Sequence, residues 1–264
     1  MKRYIFNNQH LAGVVYKTDN IIVQLIQKGT KKERCYIIGN GHSLSIDDEN
    51  KIKKHDPLMS HFRPKISEEH TVYAFYFTFE CAGLEIASYE ISEFVNEQYQ
   101  LYENIILVGH SKAGLCLTNA TYFCLQPVNL VTISTPFYGT IVVEKKLAEA
   151  RLKNKFYIAI YNMIFSDHKV DRDIAMNSEF MTNMMKPVCV KHLNIISCFR
   201  VIYDCKNLTD LALYITNNIM NLKGDGVVPI ASQIYDTNCK EIGLFCSHAS
   251  SLRLGLKIVE YEKF

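Results

Sequence analysis

Residues 105–114 read Ile-Ile-Leu-Val-Gly-His-Ser-Lys-Ala-Gly, and they leave the chain few ways to fold. Four apolar residues in a row, 105–108, make a short strand buried on both faces. Gly109-His110-Ser111-Lys112-Ala113 must then turn sharply, because Leu115, Cys116 and Ala120 resume at the spacing of a helix face. A strand that ends in a tight turn and opens directly into a helix belongs to a chain of alternating strands and helices, with a mostly parallel sheet. Such a turn strains the backbone at the serine, so the residues two before and two after must be small. Here they are Gly109 and Ala113, with alanine where a second glycine is usual, and Gly114 follows at once. Ser111 is thereby held clear of the sheet, above a helix N-terminus whose free N–H groups favour negative charge. A serine so placed is a candidate nucleophile. Gly-x-Ser-x-small turns also arise by chance, so the partners decide.

Two later segments supply partners. Gly224-Asp225-Gly226-Val227-Val228-Pro229 sets one carboxylate between small residues, either as a surface turn or as an acid held at a sheet edge. Cys246-Ser247-His248-Ala249 follows an apolar stretch at 242–245 and precedes a helix-like segment. Asp225 comes 114 residues after Ser111 and His248 another 23 later, leaving room for the rest of a sheet and then for one strand. The order Ser, Asp, His is that of a hydrolytic triad. Ser111 is too weak an acid to attack a carbonyl unaided; His248 would take its proton and return it to the leaving group, and Asp225 would fix the imidazole tautomer. Asp204, soon after a predicted strand at 193–199, is a rival for the acid; the flanking glycines favour Asp225. The Lys112 backbone N–H would be one oxyanion donor, such donors being worth on the order of 3 kcal/mol of barrier each. The second is assigned to the Asn40 N–H, with Gly41 the neighbouring choice, in the Gly39-Asn40-Gly41-His42-Ser43 segment after a strand at 34–38. His42 and His110 fall near the expected pocket, as substrate contacts or as structural groups.

Four segments together resemble α/β-hydrolases of the lipase type, and are also similar to the inositol deacylases that act on glycolipid anchors. Ile38-Gly39-Asn40-Gly41-His42-Ser43 resembles the His-Gly-Phe-Gly-x-Ser oxyanion loop, with Ile38 in place of the usual histidine. Residues 109–114 resemble the Gly-His-Ser-x-Gly-Gly elbow, residues 132–140 the Thr-Pro-His-x-Gly-Ser loop, and residues 224–229 the loop that bears the lipase acid. The resemblance implies an α/β-hydrolase fold, a mostly parallel central sheet flanked by helices with a helical cap or lid insertion. It also implies an ester hydrolase acting through an acyl-enzyme, without a cofactor.

Composition narrows the partners. A net charge of +2 with 21% charged residues gives no electrostatic case for nucleic acid. Nine cysteines without a Cys-x-x-Cys pair do not suggest a disulfide framework; Cys35, Cys116 and Cys198, in apolar segments, are expected to be buried thiols of a reducing compartment. The start, Met1-Lys2-Arg3-Tyr4-Ile5-Phe6, opens like a signal peptide, but Asn7, Asn8, Gln9 and His10 cut the apolar region short. No stretch reaches the roughly 18 apolar residues of a membrane span. The expectation is a protein of the cytoplasm, or one exported by a route that needs no cleaved signal, free to make transient membrane-surface contact. No histidine or cysteine spacing suggests a metal site, and no phosphate loop or dinucleotide fingerprint is present.

The periodicity predicts a hairpin around residues 14–16 and 21–26, strands at 34–38, 71–77, 104–108, 128–134, 193–199 and 239–245, and helices at 83–98, 112–124 and 250–260. One domain spanning 1–264 is expected, with an insertion at 141–187. There Phe156, Tyr157, Ile160, Met163 and Ile164 recur at helical spacing, followed by Met176, Met181, Met184 and Met185, as a buried cap or as a lid lining an acyl pocket. Ile160, Met163 and Phe137 are the candidate substrate contacts on that side. The expected function is hydrolysis of a small-molecule or lipid ester. A thioesterase or amidase with the same triad, and an inactive hydrolase fold used for binding, are the alternatives.

Overall fold

In the computed structural model, residues 14–44, 66–78, 80–143, 172–184, 186–235 and 238–262 are described. The expected hairpin is β1 (Val14–Lys17) and β2 (Ile21–Gln27). It is followed by β3 (Arg34–Leu44), β4 (Thr71–Thr78), α1 (Leu84–Gln98), β5 (Asn104–His110), α2 (Lys112–Ala120) and β6 (Val128–Ile133). Then come α3 (Glu179–Asn183), β7 (Cys189–Cys198), α4 (Leu208–Ile219), α5 (Ile230–Gln233), β8 (Lys240–Phe245) and α6 (His248–Tyr261). The strands form one sheet in the order β1-β2-β4-β3-β5-β6-β7-β8. β1, β2 and β4 pair antiparallel, and every pair from β4–β3 to β7–β8 is parallel.

The unbroken apolar strands reflect helices on both faces. Alternate residues of one strand enter different cores. Cys35, Ile37, Ile105 and Leu107 pack against α1 and α2 through Ile91, Val95, Leu115 and Cys116. Tyr36, Ile38, Ile106 and Val108 pack against α6 through Leu252, Leu256 and Val259. The pairs Gly39 with Gly109, His110 with Ile133, Ile133 with Ile195, and Cys198 with Phe245 bring the C-terminal ends of β3, β5, β6, β7 and β8 to one edge.

Several boundaries differ from the sequence reading: β5 runs on to His110 instead of ending at 108, β7 begins at Cys189 instead of 193, and α4 had no counterpart among the expected helices. β3 runs on from residue 38 to Leu44, with its pairing to β4 broken between Gly39 and Ser43. The helix after the elbow stops at Ala120, where Thr118 and Thr121 turn their hydroxyls onto backbone carbonyls. The last helix starts at His248 rather than 250, because Ser247 caps it by accepting the Ser250 N–H. Of the insertion at 141–187, residues 144–171 and 185 lie outside the described residues, as do Ile160 and Met163. All nine cysteines are free, with Cys35 and Cys116 buried and Cys198 only half-buried. Among the described residues no helix is long and apolar enough to cross a membrane.

Candidate active site at the sheet edge

Ser111 sits between β5 and α2 with φ 57° and ψ −131°, a conformation a non-glycine residue adopts only under constraint. Its N–H donates to the Ile133 carbonyl and its own carbonyl accepts from the Gly114 N–H, which pins the turn from both sides. A Cβ on Gly109 would lie 2.5 Å from the Gly114 Cα, so the turn closes only on two bare backbones. Alanine is tolerated at 113 because the residue opposite its methyl is Gly39, whose own Cβ would come within 2.9 Å of it.

The loop at the end of β3 lies over the serine. A Cβ on Gly41 would be 2.9 Å from Ser111 Cβ and 3.2 Å from Oγ. Asn40 is buried, with its side-chain amide 3.3 Å from His110 Nδ1. His42 lies on β3, and its side chain lies outside what is described. Lys112 is buried, its ammonium 5.6 Å from the centroid of the Phe77 ring, and its backbone opens α2. Phe137 is buried in the core and stacked on Tyr235 at 4.2 Å.

Asp225 lies in a tight loop closed by a bridge between Gly224 and Pro229. The carboxylate is fully buried; Oδ1 accepts the N–H groups of Val227 and Val228 at 3.0 and 2.8 Å. Oδ2 lies 2.8 Å from His248 Nδ1, and the His248 N–H donates to the Asp225 carbonyl at 2.9 Å. Asp225 and His248 are thus tied twice. Asp204 is spent elsewhere: its carboxylate accepts the Arg200 and Val201 N–H groups at an exposed turn. His248 stands 4.7 Å, ring to ring, from His110, the neighbour of Ser111. The Ser111 hydroxyl and the His248 ring are not hydrogen-bonded to each other.

Several polar groups around this pair carry no signal in the sequence. Ser197 Oγ donates to Asp225 Oδ2 at 2.6 Å. Ser134 Oγ is 2.5 Å from Ser197 Oγ and 2.7 Å from Ser251 Oγ, and Ser251 Oγ is 2.8 Å from the His248 carbonyl. His110 Nε2 is 3.1 Å from both that carbonyl and Ser251 Oγ. Gln233, also buried, joins the acid loop to β7 through the Ser197 N–H, the Ser197 carbonyl and the Val228 carbonyl. Asp210, in the first turn of α4, accepts from Ser247 and Ser250 at the start of α6. That buried carboxylate lies at two helix N-termini, whose dipoles stabilise its charge. Isolated serines and an Asp in an amphipathic helix show no spacing that could have singled them out.

Two buried thiols near this edge are held protonated. Burial first, then the neighbouring Asp225 and Asp210 charges, push Cys246 up to about 12, and burial pushes Cys81 up to about 11, so both are protonated at neutral pH. Among the described residues no three His, Cys, Asp or Glu side chains gather as a metal site would require.

No protein-family profile and no curated protein sequence matches the chain. Solved structures do. The mature lipase BlEst2 of Bacillus licheniformis superposes with a TM-score of 0.57 at 13% identity, over 89% of this chain and 92% of that one. The chain has the α/β-hydrolase fold. The Pyrococcus furiosus esterase PF2001 superposes with a TM-score of 0.53 at 12% identity, over 92% of this chain and 84% of that one. Within this fold, ligands meet the sheet outside the carboxyl ends of its strands, the edge at which Ser111, Asp225 and His248 stand.

Proposed function

We propose that the chain is a serine hydrolase of carboxylic esters, a lipase-like esterase acting on acyl or glycerolipid substrates. The observation that carries the reading is the buried Asp225–His248 pair, 2.8 Å apart, on the edge where Gly41 overhangs the strained Ser111. In this reading Ser111 Oγ attacks the ester carbonyl while His248 Nε2 takes its proton. The proton then passes to the departing alcohol, and water activated by His248 frees the acid. Asp225 holds Nδ1 protonated, and the N–H groups of Lys112 and of Asn40 or Gly41 face the oxyanion. In this reading the Ser111–His248 hydrogen bond forms as the substrate is bound, since catalytic contacts tighten in the reacting complex. That the two superposed enzymes are named a lipase and an esterase supports the same class. So do the exposed apolar side chains of Val201, Ile202, Tyr203, Leu208 and Phe245, beyond β7 and just before His248.

Residues 141–187 belong to this proposal as a helical cap or lid over the acyl group, with Ile160 and Met163 facing it. Labelling with a fluorophosphonate tests the chemistry: wild type is expected to label on Ser111, and Ser111→Ala to stay folded and unlabelled. No labelling of the wild type would leave a hydrolase fold used for binding. Turnover of p-nitrophenyl esters tests the substrate class. Rates should rise from acetyl to octanoyl, because each buried CH₂ contributes about 0.8 kcal/mol. Outright preference for acetyl esters would replace the lipase-like reading with a short-chain esterase, and thioester or amide turnover above that of esters would move it to those classes.

A further inference from the structure

α2 is buried along its whole length, and Asn119, near its end, is only 5% exposed. The Asn119 side-chain amide has no hydrogen-bond partner among the described residues, and it opens onto a cleft between the start of α1, the end of α2 and α3. A helix buried on every side is ordinarily apolar, and a buried amide is ordinarily paired. An amide that is neither implies an occupant for the space it faces. The cleft holds about 690 Å³ of empty space, within the roughly 300–1,000 Å³ of small-molecule sites. It is not the space above the candidate nucleophile. Asn119 lies eight residues along the chain from Ser111, about 12 Å at the helix rise of 1.5 Å per residue.

The lining residues set what that occupant can be. Phe123 and Phe180 give the cleft apolar walls. Glu85, in the first turn of α1, and Glu179, in the first turn of α3, are exposed, and neither has an ion-pair or side-chain hydrogen-bond partner among the described residues. Asp173 adds a third carboxylate, which accepts the Leu84 N–H at 2.7 Å. Helix dipoles account for acidic residues in first turns, but not for an open amide near the end of a different helix. No lysine, arginine or histidine is among the described residues that line the cleft. The carboxylates do not converge as a metal site would require. We propose that this cleft binds a small organic ammonium with an aromatic or alkyl body. Its N–H groups donate to the Asn119 carbonyl oxygen within the field of the three carboxylates, and its body lies against Phe123 and Phe180. The ligand neither meets Ser111 nor is cleaved, so the site stands whether or not the chain hydrolyses esters.

The test is calorimetric titration of the full chain with 2-phenylethylammonium at low salt, beside its neutral and anionic counterparts, 2-phenylethanol and phenylacetate. The ammonium should bind with a Kd of about 1 mM or tighter, and about tenfold or more tightly than phenylacetate. Asn119→Leu, which keeps the volume and removes the amide, should weaken it about tenfold. Glu85→Gln combined with Glu179→Gln should weaken it about threefold and flatten its dependence on salt. Circular dichroism checks folding, and the exposed double change carries the test should Asn119→Leu fail to fold. Equal binding of phenylacetate, or an unchanged Kd in either folded variant, would overturn the site. Ser111→Ala should bind the ammonium as wild type does; lost binding there would put the probe at the serine and overturn the separate cleft. Fluorophosphonate labelling of wild type keeps the two ideas apart. Ammonium binding without labelling would sink the hydrolase reading alone, and labelling without ammonium binding would sink the cleft alone.

Discussion

Asp225 and Asp204 both come after β7, yet their surroundings give them opposite weight. Asp225 is fully buried and touches the His248 ring, whereas Asp204 caps an exposed turn. Asp225→Asn should lower kcat by about 10³–10⁴-fold, because the amide stabilises the wrong imidazole tautomer. Asp204→Asn should cost less than about threefold, in line with surface changes. Steady-state kinetics on one p-nitrophenyl ester compares them, and a more damaging Asp204 change would move the acid. Gly41 is the other position where one atom matters. Gly41→Ala puts a methyl 3.2 Å from Ser111 Oγ, inside the space an oxyanion needs, and should slow fluorophosphonate labelling by about tenfold or more in a protein that still folds. Unchanged labelling would show that the loop end of β3 does not face the reacting centre.

Strands and helices differ in how plainly the sequence announces them. β3, β4, β5 and β6 are legible as apolar runs because each is buried on both faces. The tail of β3 is not, since Gly39-Asn40-Gly41-His42-Ser43 has neither alternation nor apolar weight. Ser111, Asp225 and His248 are legible because glycines, a strand–helix switch and chain order mark them. Ser134, Ser197, Ser251 and Asp210 are silent because their meaning lies in which strand ends and helices meet, something no local window contains. Asp210 shows this best, joining the first turn of α4 to the cap of α6, the helix that begins with His248. Asp210→Ala would leave the Ser247 and Ser250 hydroxyls and the Lys206 N–H without their buried acceptor. The expected loss is about 2–3 kcal/mol, read as a fall of about 4–12 °C in Tm, together with lower kcat. A thermal melt within a degree of wild type would mean that water replaces the carboxylate.

The whole sheet carries a liability to acid at His192 on β7. Its Nε2 is 2.9 Å from Thr132 Oγ1, which itself donates to Asn194, so Nε2 holds the proton; Nδ1 is buried without a partner among the described residues. Burial lowers its pKa from 6.5 to about 4. The unfolded chain takes up a proton near 6.5 that the folded chain refuses until about 4. Stability from this group is therefore complete above 6.5 and is lost as pH falls toward 4, by about 3 kcal/mol in all. Urea unfolding between pH 7 and 4 should show that slope, and His192→Gln, which keeps a donor to Thr132 but does not titrate, should flatten it. The parallel register bears on how such a chain can change over generations. Ser111, Asp225 and His248 come to one edge of the sheet through the pairing of β5 with β6, β7 and β8, so the number of residues between them is free while the phase of each strand is not. An insertion inside a strand slides its remainder by about 3.3 Å and turns its side chains to the other face. One in the segment between β6 and β7 disturbs neither. Descendants of this chain could lengthen or trim residues 144–171 without shifting the phase of any strand, so lineages should diverge there first.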